Sequence, residues 1–177
     1  GAADAAEIKL EKCKIINPRL LSRLDFEAKR VCIGILPYYT RHCDGKRTVS
    51  SYAVAPDYHL ALRELYERFI GKAKEHFPKN SFAFFADHSP IAEVDAAARA
   101  GLGIIGKNQL LITEKYSSFV FIFGIFSDLE TYNDGIEPRL CENCGACSAA
   151  CPTKLKNGGI SVDVIIPSDY MIARLIK

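Results

Sequence analysis

The chain has 177 residues, of which 49% are hydrophobic and 25% charged, and its 23 basic and 21 acidic residues leave a net charge of +2. This is the composition of an ordinary folded domain with room for a small appended module. It is too weakly basic to indicate nucleic-acid binding or to exclude it, and no apolar run is long enough to cross a bilayer.

The first half of the chain predicts strands and helices in alternation. Asn17 followed by Pro18 is typical of a helix start, and the apolar run 31–36, ended by Pro37, predicts a buried strand. A long amphipathic helix from about Asp57 to Phe77 follows, because apolar residues recur there every three or four positions. These apolar residues are Tyr58, Leu62, Leu65, Phe69, Ala73 and Phe77.

The next segments complete the predicted fold. A strand at 81–86 precedes Ser89 and Pro90, which predict the start of an alanine-rich helix ended by Gly101. Residues 110–113 and 118–126 predict a hairpin closed by a four-residue loop. The fold class expected is α/β (α+β), with a mixed β-sheet flanked by helices in two or three layers, followed by a ferredoxin-like 4Fe-4S module.

The module is predicted from four of the seven cysteines, which are spaced C-x2-C-x2-C-x3-C-P. Two-residue gaps let the chain wrap an iron–sulfur cube. The alternatives are a zinc site, whose cysteine pairs usually lie a dozen or more residues apart, and four buried free cysteines. The predicted metal ligands are Cys141, Cys144, Cys147 and Cys151.

The cluster count depends on the last of these ligands. In two-cluster ferredoxins the fourth cysteine of this run ligates the other cluster, and no cysteine follows Cys151 in this chain. The first cluster then needs a ligand from elsewhere, so we expect one or two 4Fe-4S clusters that are labile in air.

Composition also predicts the domain organisation and the compartment. After Asp128 a linker-like stretch begins, so we expect an α/β domain over residues 1–135 and an incomplete iron–sulfur module over residues 136–177. Residues 1–9 lack the pattern of a secretory signal. Tightly clustered cysteines without an export signal indicate a metal site in a reducing compartment, and we therefore expect a cytoplasmic protein.

Asp87 is the first candidate catalytic residue, because it lies between a predicted strand and a predicted helix. Its carboxylic acid could donate a proton in a reduction. A turn residue that accepts backbone N–H bonds is the commoner explanation of such a position. His88 has the same two interpretations, a proton carrier or a turn residue.

A glycine stretch at 101–106 matches G-x-G-x-x-G. A dinucleotide fingerprint needs a strand before it and a helix after it, and the predicted order here is the reverse. The glycines either let the backbone approach a flat or bulky ligand, with Lys107 and Asn108 at its polar edge, or form a tight irregular connection. Four tyrosines either line a cofactor cleft or pack in the core: Tyr38, Tyr39, Tyr52 and Tyr58.

Several stretches together resemble the epoxyqueuosine reductase family of cobalamin-dependent iron–sulfur enzymes, which are related to reductive dehalogenases. The resemblance runs in the family's order from about residue 15 to residue 153. The matching stretches are residues 31–39 (VCIGILPYY), 57–59 (DYH), 86–93 (ADHSPIAE), 100–108 (AGLGIIGKN) and the cysteine run that ends in Cys151-Pro152-Thr153.

The resemblance implies a cobalamin-binding α/β domain and a module with two 4Fe-4S clusters. Electrons would pass from a ferredoxin- or flavodoxin-type donor protein through the clusters to cobalt, and epoxyqueuosine in tRNA would be reduced to queuosine with Asp87 as the proton donor. The residues expected at the cofactor are Gly101, Gly103, Gly106, Lys107, Asn108, Tyr58 and His88.

The resemblance stops near the end of the chain. Residues 164–177 do not resemble the family, which continues to a further cysteine and a second C-x2-C-x3-C-P run. Two other functions therefore stay open. One is a ferredoxin-like electron-transfer module. The roughly 130 residues before the cysteine run argue against it, because a bare two-cluster ferredoxin needs far fewer. The other is a different corrinoid-dependent reductase without a tRNA substrate.

Overall fold

The computed structural model describes residues 4–38, 52 and 57–150. Within these residues, strands and helices alternate as far as α3, with a 3₁₀ turn after the first strand, and three strands then precede α4. The elements are β1 (Asp4–Lys9), the 3₁₀ turn (Leu10–Lys12), α1 (Pro18–Leu21), β2 (Arg30–Pro37), α2 (Tyr58–His76), β3 (Phe82–Ala86), α3 (Glu93–Arg99), β4 (Ile104–Ile105), β5 (Leu111–Ile112), β6 (Val120–Ser127) and α4 (Ala146–Ala150).

The main sheet has four strands in the order β1-β2-β6-β3, and every neighbouring pair is antiparallel. The expectation of a mixed sheet is therefore wrong for the described strands. Strands β2 and β3 do run in the same direction, as expected of two strands joined by a helical crossover. They are not neighbours, because β6 lies between them and runs opposite to both. Strand β1, which the sequence analysis missed, extends the sheet beyond β2.

The predicted hairpin is correct in its turn and wrong in its strand pairing. The backbone N–H of Thr113 donates to the carbonyl of Ser117 at 2.8 Å, and the reverse bond is 3.0 Å. Strand β5, however, pairs with β4 in a separate two-stranded sheet. The later strand, β6, instead becomes a central strand of the main sheet, where both of its edges are paired.

Helices lie on both faces of the main sheet. On one face, Leu62 of α2 packs with Phe123 and Ile125 of β6. On the other, the buried alanines of α3 join Val31 and Ile33 of β2 in the larger core cluster. Of the two or three layers expected from the sequence, the described residues form three, and the small alanine side chains let α3 approach the sheet closely.

The helix ends show where sequence signals were reliable. Asp57 caps α2, as predicted, and its side chain accepts the backbone N–H of His59 at 2.9 Å. Phe77 was predicted to be buried but is 43% exposed just beyond the helix. Helix α3 begins at Glu93 rather than at Ser89, because Ser89 is buried in a turn, where its hydroxyl accepts the N–H of Ile91 at 3.4 Å.

Gly101 ends α3 as predicted. Its φ of +83° belongs to the left-handed region that favours glycine. Its N–H donates to the carbonyl of Ala98, and the N–H of Leu102 donates to that of Ala97, each at 3.0 Å. This pair of bonds is the Schellman motif, which satisfies carbonyls left free at a helix end.

Across residues 4–38, 52 and 57–150, no helix combines the length and the apolar character that a membrane crossing needs. The predicted boundary at residue 135 stays a prediction. Residues on both sides of it contact the α/β part: Asn133 accepts the N–H of Lys9 at 2.9 Å, and Ile136 donates to Arg99 at 2.8 Å.

Candidate active site

Asp87 lies at one edge of the main sheet, directly after β3, and α2 begins beside it. The Tyr58 hydroxyl donates a hydrogen bond to Oδ2 of Asp87. Nε2 of His59 lies 3.0 Å from the same oxygen. The fold therefore brings the predicted catalytic residue and one predicted cofactor-site residue, Tyr58, into direct contact although they are 29 positions apart in sequence.

His59 is a site residue that the sequence analysis did not select. Its Nδ1 lies 2.9 Å from Oδ1 of Asp57, so that the ring bridges the carboxylates of Asp57 and Asp87. The hydrogen bond of the His59 ring to Asp57, supplemented by that to Asp87, raises the pKa of His59. The hydrogen bonds that Asp57 accepts from His59 lower the pKa of Asp57. A histidine two positions after a carboxylate helix cap is the signal that could have identified it.

The backbone at Asp87 has φ of +63°, a region that few residues other than glycine, asparagine and aspartate adopt. Such conformations occur where the surrounding structure holds a side chain in a required direction. The Asp87 side chain is 54% exposed, so a substrate can reach it. His88 donates its backbone N–H to Ala86 at 2.8 Å, and no described contact joins the exposed His88 side chain to the Asp87 carboxyl.

An aromatic cluster centred on Phe121 supports Tyr58. The rings of Tyr58 and Phe121 stack at 4.1 Å and 12°. Tyr38 lies 4.6 Å from the same ring and Tyr52 lies 6.5 Å from it. Burial and the hydrogen bond to Asp87 raise the pKa of Tyr58, so its hydroxyl remains a donor at neutral pH. Tyr39, the fourth predicted tyrosine, lies outside the described residues.

Glu93, at the start of α3, is a half-buried residue that interacts electrostatically with Asp87 and that the sequence analysis did not single out. Its Oε1 is buried and has no hydrogen-bond partner within the described part of the chain. Burial, together with the charge of Asp87, raises the pKa of Glu93 to about 8. A neutral carboxylic acid is the form that such an environment favours at pH 7.

The glycine stretch packs tightly against β5. A Cβ placed on Gly103 would lie 2.6 Å from the carbonyl oxygen of Ile112, and one on Gly106 would overlap the Asn108 side chain. The Asn108 side chain is itself engaged, accepting the N–H of Leu110 at 3.3 Å. These contacts show that Gly103, Gly106 and Asn108 form a tight connection, and the expectation that they also lie at a cofactor stays a prediction.

A groove of about 660 Å³ borders the same stretch. Ile35 pairs with Ile122 of β6 and Ala86 with the adjacent Phe123, so Ile35, which lines the groove, and Asp87 lie at the same end of the strands. About 10 Å, or two strand spacings, separates the backbones of β2 and β3, and Ile35 packs on the α3 face of the sheet whereas Ala86 packs on the α2 face. The groove is lined by residues that include Gly101, Gly103, Ile112, Lys115, Arg139 and Glu142.

The cysteine segment is attached to the other end of this stretch. Ile105 bridges Leu140 and donates its N–H to the carbonyl of Arg139 at 3.1 Å. Cys141 follows at once, and its sulfur accepts the N–H of Asn143 at 3.4 Å. That bond, a backbone bond from Lys107 and the Lys107 charge lower the pKa of Cys141. The thiolate, which is the form that binds metals, is thereby favoured.

The other predicted ligands are placed less closely. Asn143 and Gly145 have φ of +61° and +77°, so the chain curls between the cysteines before α4. In the described part of the chain, no three His, Cys, Asp or Glu side chains stand together as a metal-holding group. Cys151 lies outside the described residues. The donor set, thiols with nearby backbone N–H groups, is chemically suited to an iron–sulfur cluster.

Sequence comparison finds curated relatives described as epoxyqueuosine reductase. The chain is 35% identical to the enzyme of Cellulophaga algicola over 143 residues, which cover 80% of this chain and 46% of that enzyme. It is 33% identical to that of Leadbetterella byssophila over 142 residues, covering 79% and 46%. The chain thus spans about half the length of these relatives. No family model matches the sequence.

Solved structures of epoxyqueuosine reductases share the fold. The Streptococcus thermophilus structure superposes with a TM-score of 0.72 at 20% identity, covering 90% of this chain and 52% of that one. A structure with an epoxyqueuosine-modified tRNA-Tyr stem loop gives a TM-score of 0.60 at 20% identity, covering 85% and 48%. In a Bacillus subtilis structure (TM-score 0.65, 19% identity, 85% and 48% covered), a catalytic aspartate loop is swung out of the active site.

Proposed function

Because the chain belongs to the epoxyqueuosine reductase-like family, we propose that it acts as an oxidoreductase in the reduction of epoxyqueuosine in tRNA to queuosine. The observation that carries this proposal is the Asp87 carboxyl, held by Tyr58 and His59 at an open sheet edge. All three residues lie in stretches through which the sequence resembles the family.

Asp87 is the proposed proton donor. Loss of the epoxide oxygen as water requires two protons and two electrons, and the oxygen gains negative charge as its carbon–oxygen bonds break. A carboxyl placed at that oxygen can protonate it in the transition state, an effect typically worth 10²- to 10⁴-fold in rate. The catalytic aspartate loop of the Bacillus subtilis relative supports this assignment.

Tyr58 and His59 orient the proton donor. The Tyr58 hydroxyl donates to Oδ2 and Nε2 of His59 lies 3.0 Å from the same oxygen, which fixes the plane of the exposed carboxyl. The Tyr58 ring is held by its stack on Phe121, so the hydroxyl keeps its place as substrate enters. Preorganised donors of this kind require little reorganisation during reaction.

Two cofactors complete the proposal: cobalamin supplies the reduced metal centre that acts on the epoxide, and 4Fe-4S clusters supply its electrons. Cys141, Cys144, Cys147 and Cys151 would hold iron. The groove beside Gly101 and Gly103 would cover part of the corrinoid, with Lys107 at its polar rim. Asn108 and Gly106 would shape that rim indirectly, through the turn that they form.

The partners proposed are tRNA and an electron-donor protein of ferredoxin or flavodoxin type, in the cytoplasm. The stem-loop complex of a solved relative supports tRNA. Its recognition by this chain would not depend on a large net charge, because that charge is only +2.

The test is reduction of epoxyqueuosine-containing tRNA by the anaerobically purified protein, reconstituted with iron, sulfide and cobalamin. Conversion is followed by mass analysis of the released nucleosides, and cobalamin binding by absorbance. We expect corrinoid binding and queuosine formation. Corrinoid binding with reduction of a halogenated substrate instead would indicate another corrinoid-dependent reductase. Iron loading without corrinoid binding would contradict the proposal and indicate an electron-transfer module.

A further inference from the structure

We propose that Asp57 is a positioning residue that holds His59 as the proton store for Asp87. This inference rests on the proposed function of Asp87 and extends it to a second layer of the same site. It assigns Asp57 two tasks, since the same carboxylate also caps helix α2.

The His59 ring lies between two carboxyl groups, those of Asp57 and Asp87. Nδ1 of His59 lies 2.9 Å from Oδ1 of Asp57, and Nε2 lies 3.0 Å from Oδ2 of Asp87. An ionised carboxylate only accepts hydrogen bonds, whereas a neutral imidazole has one donor and one acceptor nitrogen. Both contacts are hydrogen bonds when the ring carries two N–H groups, so the imidazolium form matches this arrangement.

The Asp87 carboxyl provides further support. Its Oδ2 also accepts the Tyr58 hydroxyl, so two donors converge on one oxygen. We therefore assign the proton between His59 and Asp87 to Nε2 until the substrate draws it.

The charges around His59 favour the same state. Asp57 and Tyr58 face it from α2, and Asp87 faces it from the end of β3. Glu93 approaches Asp87 from α3 and, because its pKa is raised to about 8, is mostly neutral at pH 7. The described residues therefore place two carboxylates and no cation beside the His59 ring. This setting stabilises the positively charged imidazolium.

The proton movement is simple to balance. When the substrate oxygen draws a proton, the Nε2–H bond of His59 breaks as an O–H bond forms on Asp87, and that O–H bond then breaks as the O–H bond of the substrate forms, so that Asp87 ends as a carboxylate and His59 as a neutral ring. The remaining ring hydrogen stays on Nδ1, against Asp57. No electrons move. The His59 side chain is 58% exposed, so water can return a proton to Nε2 after each turnover.

The first test is Asp57→Asn in the 177-residue chain, with NMR titration of the His59 ring. Asparagine is an equally good helix cap, so the variant removes the charge and keeps the cap. We expect the His59 titration to move to lower pH. His76→Gln, at the far end of α2, is the matched control and should leave it unchanged. If Asp57→Asn fails to fold, Asp57→Ser replaces it, since serine also caps.

An unchanged His59 titration in the folded Asp57 variant would overturn the inference. This readout needs no substrate, so it is decided separately from the proposed function. Absence of tRNA reduction by the wild-type protein, with the titration shifted as expected, would refute the proposed function and leave the carboxylate–imidazolium pair established.

The second test uses the reconstituted enzyme. Asp57→Asn should lower kcat about tenfold at pH 8 and much less at pH 6, with KM unchanged. In the variant, His59 loses its proton at a lower pH than in the wild type, so the ring is neutral at pH 8 but still protonated at pH 6. His59→Ala should be restored in part by added imidazole. An equal loss at both pH values, or no rescue by imidazole, would indicate a structural role and contradict the inference.

Discussion

The sheet edge around Asp87 and the cysteine segment after Leu140 are organised in opposite ways. The first joins residues from two elements, α2 and the end of β3, by side-chain hydrogen bonds on a rigid sheet. The second is a local run whose spacing defines its chemistry, and it meets the rest of the described chain through backbone bonds near Ile105 and Lys107.

This difference indicates what each region requires. A metal site with closely spaced ligands can obtain its geometry from the metal itself, because binding and folding are coupled. A proton donor has no such organiser, and its partners must be placed by the fold. The glycine stretch connects the two regions, since it borders the groove at the sheet edge and also carries the bridge to Leu140.

The largest effect expected is on the cysteine segment. Cys141→Ser should lower the iron content after anaerobic reconstitution by roughly 10- to 100-fold, because a lost ligand costs at least as much as a lost outer-shell partner. Iron and sulfide analysis is the measurement. Cys32→Ala, in strand β2, is the control and should retain iron. Equal iron in the two variants would remove Cys141 from the site.

At the sheet edge, Asp87→Asn should lower kcat by about 10²- to 10⁴-fold, the range for loss of a general acid. Asparagine tolerates the positive φ at this position, so the fold and the iron content should be unchanged. Single-turnover reduction of epoxyqueuosine-containing tRNA measures the effect. A variant that retains near wild-type kcat would show that the proton comes from another group.

The connection between the regions is tested by Gly103→Ala. The added Cβ would lie 2.6 Å from a backbone oxygen, which cannot move away as a flexible side chain can, so we expect a loss of about 3 kcal/mol in the free energy of unfolding. Gly71→Ala is the matched control, because it has open space in α2. It should stabilise the protein by about 0.5–1 kcal/mol. Urea unfolding monitors both, and equal stabilities would contradict the packing argument.

The smallest effect expected concerns Glu93. Its pKa is raised to about 8 in the folded protein, so the folded state binds more protons than the unfolded state between about pH 4.5 and pH 8. Stability should therefore fall as pH rises through this window. Glu93→Gln should remove this dependence and be more stable than wild type at pH 8, as measured by urea unfolding.

Glu64→Gln is the control for that titration, since Glu64 lies exposed on α2 and its replacement should leave the pH dependence of stability unchanged. Parallel stability curves for wild type and Glu93→Gln between pH 5 and pH 8 would show that the Glu93 carboxyl is not desolvated in solution.

Much of the fold was predictable because local signals and tertiary context agree. Asp57 and the spacing of apolar residues predicted α2, and Gly101 predicted the end of α3. The prediction for β6 was wrong in its partner, since an apolar strand carries no record of which neighbour it pairs with. Strand β1 was not predicted, because its residues become buried only when they pair with β2.

By itself, the sequence determined the spacing of the cysteine run, which predicts a metal site, and the choice of Asp87 as a catalytic candidate, because both depend on residue type and on spacing within a few positions. Only the tertiary structure decided that Tyr58 and His59 share one oxygen of Asp87, that one buried oxygen of Glu93 lacks a partner in the described residues, and that the glycines pack on β5. Those facts depend on contacts between distant segments, which form when the chain buries its apolar surface and satisfies its backbone hydrogen bonds.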